Sequence, residues 1–207
     1  MVPTVETTGS AAPGTEPRAL RADARRNRDR VLAAARRIMA RQGLDAQMEE
    51  IARAAKVGVG TVYRHFPTKD DLVEALAGAR FERLAELARE ALEKDEPWAA
   101  FEEFMRSGAK IQTEDRALSE VLTSRPELMQ GAAESVGILD LTAKIMRRAQ
   151  EAGALRPDAE PTDVPMVMCA LAGTCRNPKM DPERYMAIVI DGLRAPGSSP
   201  LPPVSAD

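Results

Sequence analysis

IARAAKVGVGTVYRHFPTKDDL, running from Ile51 to Leu72, is the stretch whose reading decides the fold. Ile51, Ala52 and Ala55 recur at helical spacing, and Val57, Val62 and Phe66 follow as apolar anchors four to five residues apart. Gly58 and Gly60 interrupt that pattern, so the stretch reads as a helix, a tight turn, a very short second helix and the capped start of a third. Two helices meeting steeply across so short a turn form a helix-turn-helix, whose second helix enters the major groove of DNA. Sequence-specific DNA binding is the function this stretch predicts.

The same residues carry a family resemblance. Ile51-Ala52, Val57-Gly58, Gly60-Thr61, Tyr63, His65-Phe66, Lys69 and Leu72, with Ala33-Ala34-Ala35 and Gly43 upstream, resemble the N-terminal signature of TetR-type transcriptional regulators. The resemblance covers roughly Arg28 to Val73 and rests on several features in order and spacing. It implies an all-α chain with an N-terminal three-helix helix-turn-helix DNA-binding domain and a C-terminal helical domain for ligand binding and dimerisation. It further implies a homodimer on a palindromic double-stranded DNA operator, built on the last two long helices, with the middle helices surrounding a small-molecule effector. Two positions depart from the pattern: Lys56 stands where the turn ordinarily has a glycine, and Gly58 where a serine would often cap the recognition helix. A left-handed backbone at Lys56 would cost about 1 kcal/mol.

Composition agrees with a helical chain. Aromatic residues make up 3% of 207 residues, and apolar positions repeat every three or four residues rather than every two. Cys169 and Cys175 are the two cysteines, too few for a disulfide framework and consistent with a reducing compartment. No run approaches about 18 apolar residues, and the first residues lack a basic-then-apolar leader, so the expected location is cytoplasmic with no membrane partner. Net charge is −3, yet its distribution is uneven. Arg18 to Lys69 holds 13 Lys and Arg against 5 Asp and Glu, and residues 70–207 hold 16 against 25. Basic charge therefore gathers at the motif, where it would attract phosphates.

Along the chain, residues 1–17 and 195–207 read as disordered tails, 18–68 as the DNA-binding domain, and 69–194 as the effector-binding and dimerisation domain. A first helix is expected from about Arg26 to Gln42, stopped by Gly43. The basic stretch before it, RALRADARRNRDR, is a candidate flexible arm for the DNA backbone or minor groove. Thr68 and the acidic pair Asp70-Asp71 cap a long helix running to about Glu93. Further helices are expected from Pro97 to about Ile111, from Pro126 to Ala152 with Gly153 as stop, from Asp163 to Thr174, and from Asp181 to Leu193, with a short segment at Arg116 to Thr123.

Base readout belongs to the short helix from about Val59 to His65, because residues at the start of a recognition helix reach base edges. Thr61 and Arg64 have the side chains for it, with a phosphate clamp the first reading for Arg64 and a bidentate pair with guanine the other; Val59 meets a thymine methyl, and Gly60 lets the backbone approach. The resemblance makes Tyr63, His65 and Lys69 phosphate-backbone positions, and Lys56 adds an ammonium to the turn. As cavity residues the sequence offers Trp98, Phe101, Met105, Met129, Leu139, Met146 and Cys169, a polarizable set suited to an apolar or amphipathic ligand, although each is an ordinary core residue too. The expected function is a TetR-type transcriptional regulator, a repressor released by a small-molecule effector. A ligand-independent DNA-binding protein is the alternative, and a helical-bundle enzyme the weaker one: there is no Glu-x-x-His pair, HExxH or phosphate-binding glycine loop, and His65, the single histidine, lies inside the DNA motif. No catalytic residue, metal ligand or cofactor is expected.

Overall fold

The computed structural model describes residues 16–114, 118–119, 125–174, 179, 181–195 and 199–203, with side chains of 16–21 and 174 excepted. Cys175 and most of the segment Arg116 to Thr123 lie outside the described residues. Helix α1 spans Glu16–Gln42, α2 Met48–Ala55, α3 Val59–His65 and α4 Lys69–Leu92. They are followed by α5 Pro97–Glu114, α6 Pro126–Val136, α7 Ile138–Glu151, α8 Asp163–Thr174 and α9 Pro182–Leu193. Among the described residues no strand forms; the nearest approach to one is a single bridge between Leu155 and Arg194.

Three element boundaries differ from the sequence expectation. Helix α1 begins ten residues early, at Glu16 rather than Arg26, so the basic stretch expected as a flexible arm is helical. Its composition allows this, since Ala, Arg and Leu are strong helix formers with no proline after Pro17. The single helix expected from Pro126 to Ala152 is two, because Gly137 takes a left-handed φ of 63° and its amide bonds back to the Glu134 carbonyl. In the expected C-terminal tail, Ser199 and Leu201 are hydrogen-bonded to Arg156 and Asp158.

Two hydrophobic clusters organise the chain. The N-terminal one joins Val31, Ala35 and Met39 of α1 to Ile51 and Ala55 of α2, Val62 of α3 and Phe66. It continues into α4 through Leu72, Val73, Leu76 and Ala77 and takes in Ala132 of α6, so the core runs without a break across the position of the expected boundary at Thr68. The second cluster joins Ala85, Ala88 and Ala91 of α4 to Phe101 and Met105 of α5, Ile145 and Met146 of α7, Leu171 of α8, and Met186 and Ile190 of α9. Helix α4 is therefore shared: its first half belongs to one cluster and its second half to the other. At about 1.5 Å per residue its 24 residues reach about 36 Å.

Helix ends are held by identifiable partners. Thr68 accepts from the Asp71 amide at 3.1 Å while the Asp71 carboxylate accepts the Thr68 amide at 2.8 Å, a reciprocal capping box at the start of α4. The Thr68 hydroxyl, donating to the same carboxylate at 2.7 Å, and then the Thr68 amide hold the Asp71 carboxyl below the usual carboxylate range. At the other end of α4, Arg148 donates to the Leu92 and Lys94 carbonyls at 2.6 and 2.7 Å. Asp181 accepts from the Glu183 amide at 2.9 Å and caps α9. Arg156, buried at 8% exposure, ties the end of α9 to the chain beyond it: it donates to the Gly192 carbonyl at 3.0 Å, to the Ser199 carbonyl, and to both oxygens of Asp158. The guanidinium, together with the Leu201 amide, holds the Asp158 carboxyl far below its ordinary range.

Candidate nucleic-acid interface and effector cavity

Helix α2 ends in paired bonds, Lys56 N to the Arg53 carbonyl at 3.2 Å and Val57 N to the Ala52 carbonyl at 3.1 Å. This is the Schellman closure, and it requires one residue in the left-handed region. Lys56 occupies it with φ 57° and ψ 43°, the one non-glycine residue with positive φ among those described. Gly58 then extends to φ −67° and ψ 145° and starts α3 with its carbonyl, which accepts from the Thr61 amide at 2.9 Å. No side chain caps α3, as the glycine at that position dictates. Val62 at 0% exposure and Phe66 at 2% lock α3 against α1 and α2.

This packing leaves the opposite face of α3 in solvent. Val59, Gly60, Tyr63 and Arg64 are exposed, as is Lys56 in the turn, while Thr61 and His65 are half-buried. Val59 and Tyr63 are large apolar or aromatic residues at 42% and 43% exposure, which costs hydrophobic burial and marks the face as one built for contact. Tyr63 Oη donates to Glu49 at 3.4 Å, and the His65 ring leans on Phe66 at 6.2 Å. Arg28 of α1 sits 5.5 Å over the same Phe66 ring. Lys69 is placed differently from a free phosphate ligand: its ammonium donates to the Leu44 carbonyl at 2.7 Å, tying the start of α4 to the 3-10 turn at Gly43–Asp45. An ammonium keeps two further donors, so that bond fixes the side chain without exhausting it.

The cavity residues divide. Helices α4 to α8 line a partly open space of about 380 Å³, in the range of small-molecule sites, and Met129, Leu139 and Cys169 border it. Trp98, Phe101, Met105 and Met146 do not. Phe101, Met105 and Met146 fill the second cluster at 2% exposure or less, and Trp98 lies between Phe101, 5.7 Å away, and the Arg194 guanidinium, 4.6 Å away. The wall is built instead from Phe81 and Leu84 of α4, Phe104, Gly108 and Gln112 of α5, Ala133 of α6, Ile138 and Thr142 of α7, and Val164 and Met168 of α8, with Arg80 and Ser119 at one side. On α5 the spacing explains the exchange: Phe101 and Met105 share the core stripe, whereas Phe104, Gly108 and Gln112 form the neighbouring stripe four residues apart. Gly108 lets neighbouring side chains come close: Met168 Cε and Leu84 Cδ2 lie 3.5 and 3.7 Å from where a Cβ would stand. A second, larger cleft of about 640 Å³ lies between α1, α4 and α5, and its walls carry Arg36, Arg83, Lys110 and Glu114.

Helix α6 touches both regions. Leu128, Met129 and Ala132 pack on the N-terminal cluster, Met129 and Ala133 face the cavity, and Arg125 at its start meets Asp70 of α4 at 3.1 Å. Among the described residues there is no group of three or more His, Cys, Asp or Glu able to hold a metal ion. No helix among them is long and apolar enough to cross a membrane.

An exposed recognition helix on a trihelical head, joined to a helical domain with an internal cavity, defines a DNA-binding transcriptional regulator. The chain belongs to the TetR family. Residues 31–76 match the bacterial regulatory proteins of the tetR family, and residues 96–195 match the C-terminal domain of SbtR-like transcriptional regulators. The chain is 32% identical over 141 residues to the HTH-type transcriptional repressor KstR of Mycolicibacterium smegmatis, covering 67% of each chain. It is 30% identical over 149 residues to the HTH-type transcriptional regulator UidR of Escherichia coli, covering 67% of this chain and 74% of that one. Among solved structures, a TetR transcription regulatory protein from Mycobacterium vanbaalenii shares 37% identity with a TM-score of 0.64, covering 85% of this chain and 99% of that one. These relatives are regulators rather than enzymes.

Proposed function

We propose that the chain acts as a homodimeric repressor that leaves a palindromic operator when a small molecule fills the cavity between α4 and α8. The observation that carries this reading is the double contact of α6, which lines the cavity with Met129 and Ala133 while Ala132 packs into the core of the DNA-binding head. A ligand that displaces the Met129 and Ala133 wall pushes on an element buttressing that head, and through α4 it alters the spacing of the two recognition helices. Differential contacts of this sort are worth about 1–3 kcal/mol of coupling. Thr61 and Arg64 read bases, while Lys56, Tyr63, His65 and Lys69 hold phosphates. The repressor sense follows the KstR relative, itself a repressor.

Dimerisation rests on α8 and α9. Met166 and Ile188 each stand 63% exposed on the outer faces of helices whose inner faces are already buried at Val164, Leu171, Met186 and Ile190. Two such helices from each subunit make a self-complementary apolar surface, and operator half-sites about 34–36 Å apart call for two heads. Gel retardation with DNA flanking the coding region, with scrambled competitor at fixed salt, tests the reading. Retention of one fragment against competitor supports it, and equal retention of all fragments favours a ligand-independent DNA-coating protein.

A further inference from the structure

We propose that Glu49, in the first turn of α2, is a base-reading residue: its carboxylate accepts from the exocyclic amino group of a cytosine at the edge of the major groove and selects that base within each half-site. This rests on the reading of the head as a sequence-specific DNA binder and adds a specificity determinant that lies outside the recognition helix.

The placement of Glu49 is the leading observation. The head is basic, with 13 Lys and Arg against 5 Asp and Glu from Arg18 to Lys69, and no acidic residue stands from Ile51 to Thr68. Glu50 is turned toward α1, where the Gln42 carboxamide donates to both of its oxygens at 3.0 and 3.1 Å. One residue step around α2, about 100°, puts Glu49 on the flank that faces α3 instead. There it is exposed, and Tyr63 Oη, on the solvent side of α3, donates to it at 3.4 Å. Arg53, four residues on, shares this flank and is exposed too, and Lys56 lies in the turn beyond. The bond from Tyr63 is long for a hydroxyl on a carboxylate, which ordinarily closes to about 2.5–2.7 Å. Held this loosely, the hydroxyl is free to donate to a phosphate and the carboxylate to accept from the duplex.

A carboxylate in the first turn of α2 suits the positive end of the helix dipole, but Glu50 stands in that turn as well, and the dipole does not distinguish one flank from the other. On the flank beside α3 a negative charge is unfavourable, because the phosphates that the basic head attracts are repelled by it. A donor presented by the duplex itself offsets that repulsion. In the major groove the donors are the amino groups of adenine and cytosine. Adenine sets its amino group beside the N7 acceptor, which repels a carboxylate, whereas cytosine presents its amino group with no acceptor of its own alongside. Cytosine is therefore the base that Glu49 selects.

Selection of bound duplexes from a randomised library by the full chain, followed by sequencing, tests this with Glu49→Gln and Glu49→Ala, both checked for helicity by circular dichroism. We expect the wild-type chain to enrich a dyad-related motif in which one position of each half-site prefers cytosine by about fivefold to a hundredfold. Glu49→Gln should move that position toward adenine, for which a carboxamide supplies both donor and acceptor, and Glu49→Ala should level it, with the other positions unchanged. A motif identical in all three proteins would overturn the inference and leave the regulator reading standing. Equal weakening at every position, the mark of a residue that only orients Tyr63, would do the same. No enriched motif for the wild-type chain would overturn both.

Discussion

Lys56 holds a backbone conformation that costs a lysine about 1 kcal/mol and a glycine almost nothing. Lys56→Gly should therefore raise the denaturation midpoint by roughly 0.5–1 kcal/mol of stability while lowering DNA affinity and reducing its salt slope by about one ion. Equal affinity and slope in both proteins would mean the ammonium touches no phosphate. On α3, Tyr63→Ala should weaken binding to all operator variants alike, whereas Thr61→Ala should change the preference among them. Uniform losses for Thr61→Ala would take it out of base readout. Two carboxyls give the fold an acid limit. Asp71 and Asp158 have folded pKa values below their unfolded ones, so the stability they contribute is present above the ordinary carboxylate pKa of about 3.9 and is lost as pH falls through the folded values. Asp158→Asn should flatten the acid limb of the stability profile, read from denaturant midpoints between about pH 3 and pH 6. An unchanged limb would show that the Arg156 clamp does not differ between folded and unfolded states.

At the scale of helices, much is legible in the chain's local chemistry. The Thr68 capping box, the Gly43 stop, the Asp181 cap and the Pro97 start are local signals, each set by one or two side chains bonding to nearby backbone, and each stands where the sequence puts it. Gly137 escapes such a reading because an isolated glycine in a helical pattern is compatible with continuation; only the packing of α6 on the head and α7 on α4 requires the break. A break and a continuation differ in sign for Gly137→Ala. With φ at 63° alanine should destabilise the chain by about 1 kcal/mol, and in an unbroken helix it would stabilise by a similar amount, so one thermal melt decides. The cavity is only half legible for a related reason. Periodicity shows which residues of α5 are buried but does not say whether a stripe meets another helix or an empty space, and the apolar stripe of Phe101 and Met105 meets α7.

For the molecule as a whole, the proposed function requires a pair of heads held at fixed spacing. Ile188→Asp puts a charge on the outer face of α9 without disturbing its buried side, so it should convert the dimer to a helical monomer in sedimentation and abolish specific operator binding. A dimer that survives this substitution would place the interface elsewhere. The charge division along the chain supports the same arrangement, since a basic head and an acidic body orient each subunit on the duplex. The most direct test of the whole is footprinting of the purified chain on DNA flanking its own coding region at low salt. Two protected half-sites related by a dyad and about one helical turn apart, lost when the cavity is filled, are the predicted result. No protected site on any such fragment, or protection spread evenly over all of them, would contradict it.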